Sequence, residues 1–221
     1  MENHQIKRRP IRARDTKWAA AAARWLTRSG LKPNQISILS VVFASIAGAC
    51  LLLASTQTWG VRVALLMGAA ACIPLRLLCN MFDGMVAVEG GRQTKAGEIY
   101  NELPDRISDA IILVCAGYFS GGTCCGVELG WTAAILAVIT AYVRTLGAMA
   151  GASQQFCGPM AKQQRMAVII AACLLTIVEG ASDYRSEIMP LALGIVIGGC
   201  VVTIGRRMFL IMKELDFDGA P

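Results

Sequence analysis

Six acidic side chains, Asp83, Glu89, Glu98, Glu102, Asp105 and Asp109, crowd into one stretch of a 221-residue chain that holds only 15 acids. Carboxylate and amide oxygens are the ligands that hard cations such as Mg²⁺ or Mn²⁺ take, commonly together with substrate phosphates. Asn80 and Asp83 stand three apart and would share one face of a helix. Asn101, Asp105 and Asp109, spaced by four, would share a face of another. Two such faces set against each other would make an oxygen-rich site. Gly84, directly after Asp83, would leave space beside the carboxylate for a flat ligand. Spacing alone leaves this metal site level with an ordinary acidic loop whose acids favour helix N-termini.

Other elements must hold these faces in place, and the composition says of what kind. The chain is 55% hydrophobic and 16% charged, where a soluble domain carries about a quarter charged residues. Low-complexity disorder and a secreted disulfide scaffold are excluded. The expected fold class is all-α, a polytopic membrane protein. At roughly 20 residues per spanning helix the length holds six transmembrane helices with short loops and no second domain. Five are expected near 34–54, 63–82, 104–120, 129–149 and 188–208. The remaining one, fifth in chain order, is squeezed between Arg165 and Glu179, where only 13 uncharged residues stand. Lys162 and Arg165 must snorkel at its start, or it is a buried half-helix. Pro74 and Arg76 interrupt the second span and require the bundle or a water-filled cavity to receive them.

Charge sets the boundaries and the orientation. Residues 1–32 hold nine of the 21 basic residues and, of the acids, only Glu2 and Asp15. They are expected to form a basic cytoplasmic tail drawn to anionic lipid. Its end would be an interfacial amphipathic helix with Trp18, Trp25 and Leu26 on one side and Lys17, Arg24 and Arg28 on another. A membrane domain over 33–212 and a short tail over 213–221 complete the division. Basic residues concentrate in the tail, in 83–103, in 150–165 and at Arg206, Arg207 and Lys213, which places both termini and the acidic cluster on the cytoplasmic side. An integral protein of a bacterial inner membrane fits this pattern. No soluble basic domain follows the tail, so nucleic acid is not an expected partner. Arg24 breaks the alanine run and argues against a signal peptide. His4 is expected to be solvated and inert. The nine cysteines form no CxxC pair or Cys/His cluster, which leaves them as small hydrophobes, with the redox state of Cys124 and Cys125 open. Gly117 with Gly121, Gly147 with Gly151, and Gly194 with Gly198 have the spacing that lets helices approach closely, within the chain or in a homodimer.

The run Asn80, Asp83, Gly84, Ala87, Gly97, Asn101, Asp105 resembles the signature of the CDP-alcohol phosphotransferase family, DxxDGxxARx(8)GxxxDxxxD, with every interval kept. The resemblance extends to Lys32-Pro33-Asn34-Gln35-Ile36-Ser37, to Tyr142-Val143-Arg144 and to Gly158-Pro159-Met160-Ala161-Lys162 before Arg165 and Met166. Three positions depart from it. Asn80 and Asn101 stand where the family has its first and third aspartates, and Val88 stands where it has arginine. Asparagine still offers an oxygen but no charge.

What the resemblance implies is transfer of a phosphatidyl-type group from a CDP-linked lipid to an alcohol, releasing CMP. Asn80, Asp83, Asn101 and Asp105 would be the metal ligands, for Mg²⁺ or Mn²⁺. Asp105 would also serve as general base, with Asp109, one turn on, as a second catalytic carboxylate restoring missing charge. Asn80, Gly84, Ala87 and Gly97 would line the nucleotide, and Arg92 or Lys95 would replace the lost arginine. With less negative charge in the set, a single metal is expected, or a second one held partly by the substrate diphosphate. Arg144, Lys162 and Arg165 would form a basic pocket for a phosphorylated acceptor such as glycerol 3-phosphate or an inositol phosphate, or else serve as positive-inside anchors. Two rivals remain: a family member that binds CDP-lipid without turnover, and a cation-binding transporter, although the latter lacks acids at mid-membrane.

Overall fold

The computed structural model describes residues 16–89, 95–121, 125–180 and 187–218. Among them it forms seven α-helices and no strand. The basic arm before residue 16, with His4, lies outside the described residues, as do Arg92 and Cys124.

The first helix, α1 (Lys17–Arg28), turns Ala19 and Ala23 inward and leaves Trp18 and Trp25 more than half exposed, as an interfacial helix should. The Trp18 ring meets Phe82 edge-on at 6.1 Å, a geometry worth about 0.5–1.5 kcal/mol beyond burial. Ser29 ends the helix by donating its hydroxyl to the Trp25 carbonyl at 2.9 Å, and Gly30, at φ 77°, turns the chain away. Helix α2 (Pro33–Ala54) starts on Pro33, whose missing N–H is no loss in a first turn. The Lys32 amide is satisfied by the Gln35 side chain at 2.9 Å.

Helix α3 (Trp59–Glu89) runs unbroken through Pro74 and Arg76. Of the two receivers expected for Pro74 and Arg76, the bundle is the one that takes Arg76, and the helix continues past Phe82, so Asp83 lies within it. The physical reason is that the polar groups are received by neighbours, described below. Helix α4 (Lys95–Phe119) contains Pro104 and begins before the span expected from 104. Helices α5 (Gly126–Met149), α6 (Lys162–Glu179) and α7 (Ile188–Asp218) follow. α7 runs through the boundary expected at 213, because Glu214 is tied to the segment after α5.

The six long helices close a ring. α2 packs on α3 and α4, α4 on α5, α5 on α7, α7 on α6 and α6 on α3. Close approach is bought with glycine. A Cβ on Gly117 would lie 2.7 Å from the Gly130 Cα, and one on Gly48 would lie 2.9 Å from Ile111. Gly147 meets Ile211 across α5 and α7, whereas Gly194 and Gly198 face open space. Four helices, α2, α3, α5 and α7, are long and apolar enough to cross a membrane, and they expose large apolar side chains such as Ile46, Leu53, Ile135 and Val202. α4 and α6 fall outside that group because each carries the charges of the site at its start.

Candidate active site

The site forms where α3, α4 and α6 meet. Asn80 and Asp83 come from one turn of α3, and Asp105 and Asp109 from one face of α4, as their spacing requires. Asp83 is 3% exposed. Its Oδ2 accepts the Ser37 hydroxyl of α2 at 2.7 Å, while its Oδ1 is buried and accepts no hydrogen bond. A buried carboxylate oxygen without a donor is costly unless a cation reaches it.

Asp105 is held on three sides. Lys162 donates to its Oδ2 at 2.6 Å, Arg76 reaches its Oδ1 at 3.3 Å, and Arg106 lies 3.8 Å from Oδ2. The Lys162 ammonium also donates to the amide oxygen of Asn80. Asp109 is 1% exposed and has both oxygens engaged, Oδ1 by Arg76 at 2.7 Å and Oδ2 by Arg165 at 2.6 Å. Arg76 is fully buried and adds a bond to the Asp105 carbonyl at 3.0 Å. Arg165 is 2% exposed and donates its other arm to the Met160 carbonyl at 3.0 Å. Of the two expectations for it, snorkelling or burial, Arg165 follows the second, because Asp109 satisfies it inside the bundle.

Toward the rim, Arg144 donates to Glu102 at 2.6 Å and to Gln154 at 3.3 Å, and its guanidinium lies 5.2 Å from the Phe156 ring centroid. Partial burial works against ionisation of Glu102. The Arg144 and Arg106 guanidiniums beside it prevail and hold its carboxyl below the usual range. Of the three cations expected to share one acceptor pocket, each is therefore engaged by its own partner: Arg144 by Glu102, Lys162 by Asn80 and Asp105, Arg165 by Asp109.

The segment 150–161 delivers Lys162 and Arg165, and α7 fastens it. Glu214 accepts the Ser153 amide and hydroxyl at 2.8 and 2.9 Å, the Thr203 hydroxyl accepts the Met160 amide at 3.0 Å, and Arg207 donates to the Cys157 carbonyl at 3.0 Å. Gly158 adopts φ 117° and crosses close over Thr203, a conformation and a clearance that only glycine allows. Sequence reading missed Arg207 and Glu214 as fasteners, and took Arg207 for a basic anchor. Gly84 and Ala87 follow Asp83 on α3, both half-buried. Gly97 and Asn101 lie on α4, their surroundings outside the described residues, and Arg92 lies outside them altogether.

The sequence model of CDP-alcohol phosphatidyltransferase matches residues 31–204 of this chain. The chain belongs to the CDP-alcohol phosphatidyltransferase family. Such a protein is a membrane-embedded transferase of phospholipid synthesis. The phosphatidylinositol phosphate synthase of Mycobacterium marinum is 25% identical over 203 residues, covering 86% of this chain and 77% of the relative. The crystal structure of the Mycobacterium tuberculosis phosphatidylinositol phosphate synthase with CDP-DAG bound has a TM-score of 0.68 at 21% identity, over 87% of this chain and 92% of that one. The same enzyme in complex with manganese and citrate gives 0.69 at 20% identity, over 87% and 88%. The phosphatidyltransferase fold is thus shared. Within the described residues of this family member, no three acidic, histidine or cysteine side chains converge as a metal cage. The donors present are nonetheless hard oxygens, and the buried free Oδ1 of Asp83 fits a divalent cation.

Proposed function

We propose that this phosphatidyltransferase moves a phosphatidyl group from CDP-diacylglycerol to a phosphorylated alcohol, such as glycerol 3-phosphate or an inositol phosphate, and releases CMP. The observation that carries the reading is the pairing of Asp83, with one buried oxygen free, and Asp105, with the Lys162 ammonium against it, in the interval the family signature requires. The CDP-DAG and manganese complexes of the mycobacterial synthase support the donor and the kind of ion. Asp83 would be the principal holder of Mg²⁺ or Mn²⁺, with Asp105 and the weaker amide oxygens of Asn80 and Asn101 as the other signature donors, and the ion when bound supplies charge neutralisation at the diphosphate. Asp105 removes the proton as the acceptor oxygen attacks the phosphatidyl phosphorus and the bond to CMP breaks. Gly84 and Ala87 leave room for the nucleotide beside Asp83. Arg76, Asp109 and Arg165 act as positioning residues that fix the carboxylate face of α4. Arg144, at the rim, meets the acceptor phosphate by exchanging Glu102 for it. All six long helices cross a bacterial inner membrane with both termini and this site on the cytoplasmic side, where CTP-derived nucleotides are found.

The test is CMP release from CDP-diacylglycerol by the purified protein, with and without Mg²⁺ or Mn²⁺, across a panel of phosphorylated and neutral alcohols. Metal-dependent release with a phosphorylated acceptor is expected. A second reading, CDP-lipid binding without turnover, is favoured by the contact of Lys162 with Asn80, and it predicts donor binding with no CMP release under any of these conditions.

A further inference from the structure

Three carboxylates, Asp83, Asp105 and Asp109, face three buried or half-buried cations, Arg76, Lys162 and Arg165, at the meeting of α3, α4 and α6. Arg106 lies 3.8 Å from Asp105 as a fourth cation, so the cluster carries no excess negative charge without any bound ion. Two of these cations are structural, since Arg76 and Arg165 share Asp109 and Arg76 also ties the side chain and carbonyl of Asp105. Lys162 is different: its ammonium enters from the first turn of α6, has a side chain 17% exposed, and bridges Asn80 to Asp105. Those are two of the positions that the family signature gives to metal-ligating aspartates, and here one of them is an uncharged amide. Asn80 still accepts a hydrogen bond from the ammonium, more weakly than a carboxylate would, and it brings no charge to a divalent ion.

We propose that Lys162 is an internal cation of the site, supplying between Asn80 and Asp105 the positive charge that a second divalent ion would otherwise supply, so that the protein takes one divalent ion, at the Asp83 side, and not two. The inference deepens the transfer reading above and rests on it for the identity of the site. Its physical basis is charge. With Lys162 in place, the group has no excess negative charge to retain a second divalent ion before substrate arrives. Among the described residues, the Oδ1 of Asp83 remains the one buried carboxylate oxygen of this site without a donor.

The experiment counts Mn²⁺ bound to the full-length protein in detergent or nanodiscs, by electron paramagnetic resonance of the free ion, with no lipid donor or nucleotide added. Wild type should bind one Mn²⁺ per chain. Lys162→Gln should bind Mn²⁺ about tenfold more tightly or better, and Asn80→Asp combined with Lys162→Gln should take a second ion. Lys162→Arg, which keeps the charge, should stay at one. Two ions in the wild type, or Lys162→Gln binding no more tightly than wild type, would overturn the proposal. If the Gln variants do not fold, Asn80→Asp with Lys162 intact carries the test: it should still hold one ion, and a second Mn²⁺ there overturns the proposal. The count is read apart from turnover. A chain that binds Mn²⁺ as stated but releases no CMP removes the transfer reading alone, and one that releases CMP while holding two ions removes this inference alone.

Discussion

Arg76 of α3 and Asp109 of α4 meet at 2.7 Å with neither side chain more than 1% exposed. Arg165 of α6 closes on the other oxygen of the same carboxylate at 2.6 Å, so a single acid ties three helices together inside the bundle. Charges so placed gain little net stability over an apolar core. Removing one partner, however, strands the others away from water.

Asp109→Ala should therefore act on stability first. It leaves two buried guanidiniums facing each other without their shared carboxylate, a loss of about 3 kcal/mol or more. Thermal unfolding of the purified variant should show a large drop, and yield from the membrane should fall. A normally stable Asp109→Ala protein that has lost only metal binding would add Asp109 to the ligand set.

Asp83 should behave in the opposite way. Asp83→Asn keeps the shape and an oxygen for the Ser37 hydroxyl, so stability should change by about 1 kcal/mol or less. Mn²⁺ affinity and CMP release should each fall at least about 100-fold. Calorimetry and the release assay on one preparation check both, and retained Mn²⁺ affinity would move the ion away from this carboxylate.

The contrast between these two acids marks what the sequence could and could not say. The intervals joining Asn80, Asp83 and Asp105 are helical periodicities, and the faces they define are present. The partners of those faces come from other helices, and no local spacing records them. Asp109 looked like a spare catalytic carboxylate because its engagement by Arg76 and Arg165 is a property of the packed bundle. For the same reason the sequence showed that Arg76 must be received by the bundle or a cavity but not by what, and the receivers are Asp105 and Asp109 of α4. The span expected to end near Phe82 continues as helix through Asp83, whose partner also lies elsewhere. Ser37, one helix away, accommodates it. Span counting by length and apolarity finds four helices, because α4 and α6 each gather charges in their first turns.

Glycine substitutions should separate internal packing from the open surface. Gly117→Ala places a methyl 2.7 Å from the Gly130 backbone, and backbone does not yield as a side-chain tip does, so a loss of about 1–3 kcal/mol is expected. Gly194→Ala meets nothing within 4 Å and should be neutral or slightly stabilising through helix propensity. Melting temperatures of the two variants in one detergent decide it. Equal behaviour would mean that α4 and α5 do not approach through these residues.

Arg144 offers the most discriminating test of the acceptor. It is tied to Glu102 at 2.6 Å at the rim of the site, an arrangement in which an incoming phosphate can displace the carboxylate. One charge-assisted contact contributes about 1.5–3 kcal/mol, so Arg144→Ala should raise KM for a phosphorylated alcohol about tenfold or more and leave KM for CDP-diacylglycerol nearly unchanged. Glu102→Gln should shift the same KM downward, because the guanidinium is then held by a neutral amide that competes less well with phosphate. Opposite shifts from the two partners of one ion pair are hard to obtain from a structural role, since breaking a structural pair from either side disturbs it in the same direction. If both variants raise both KM values together, the pair is scaffold, and the phosphate of the acceptor is met elsewhere.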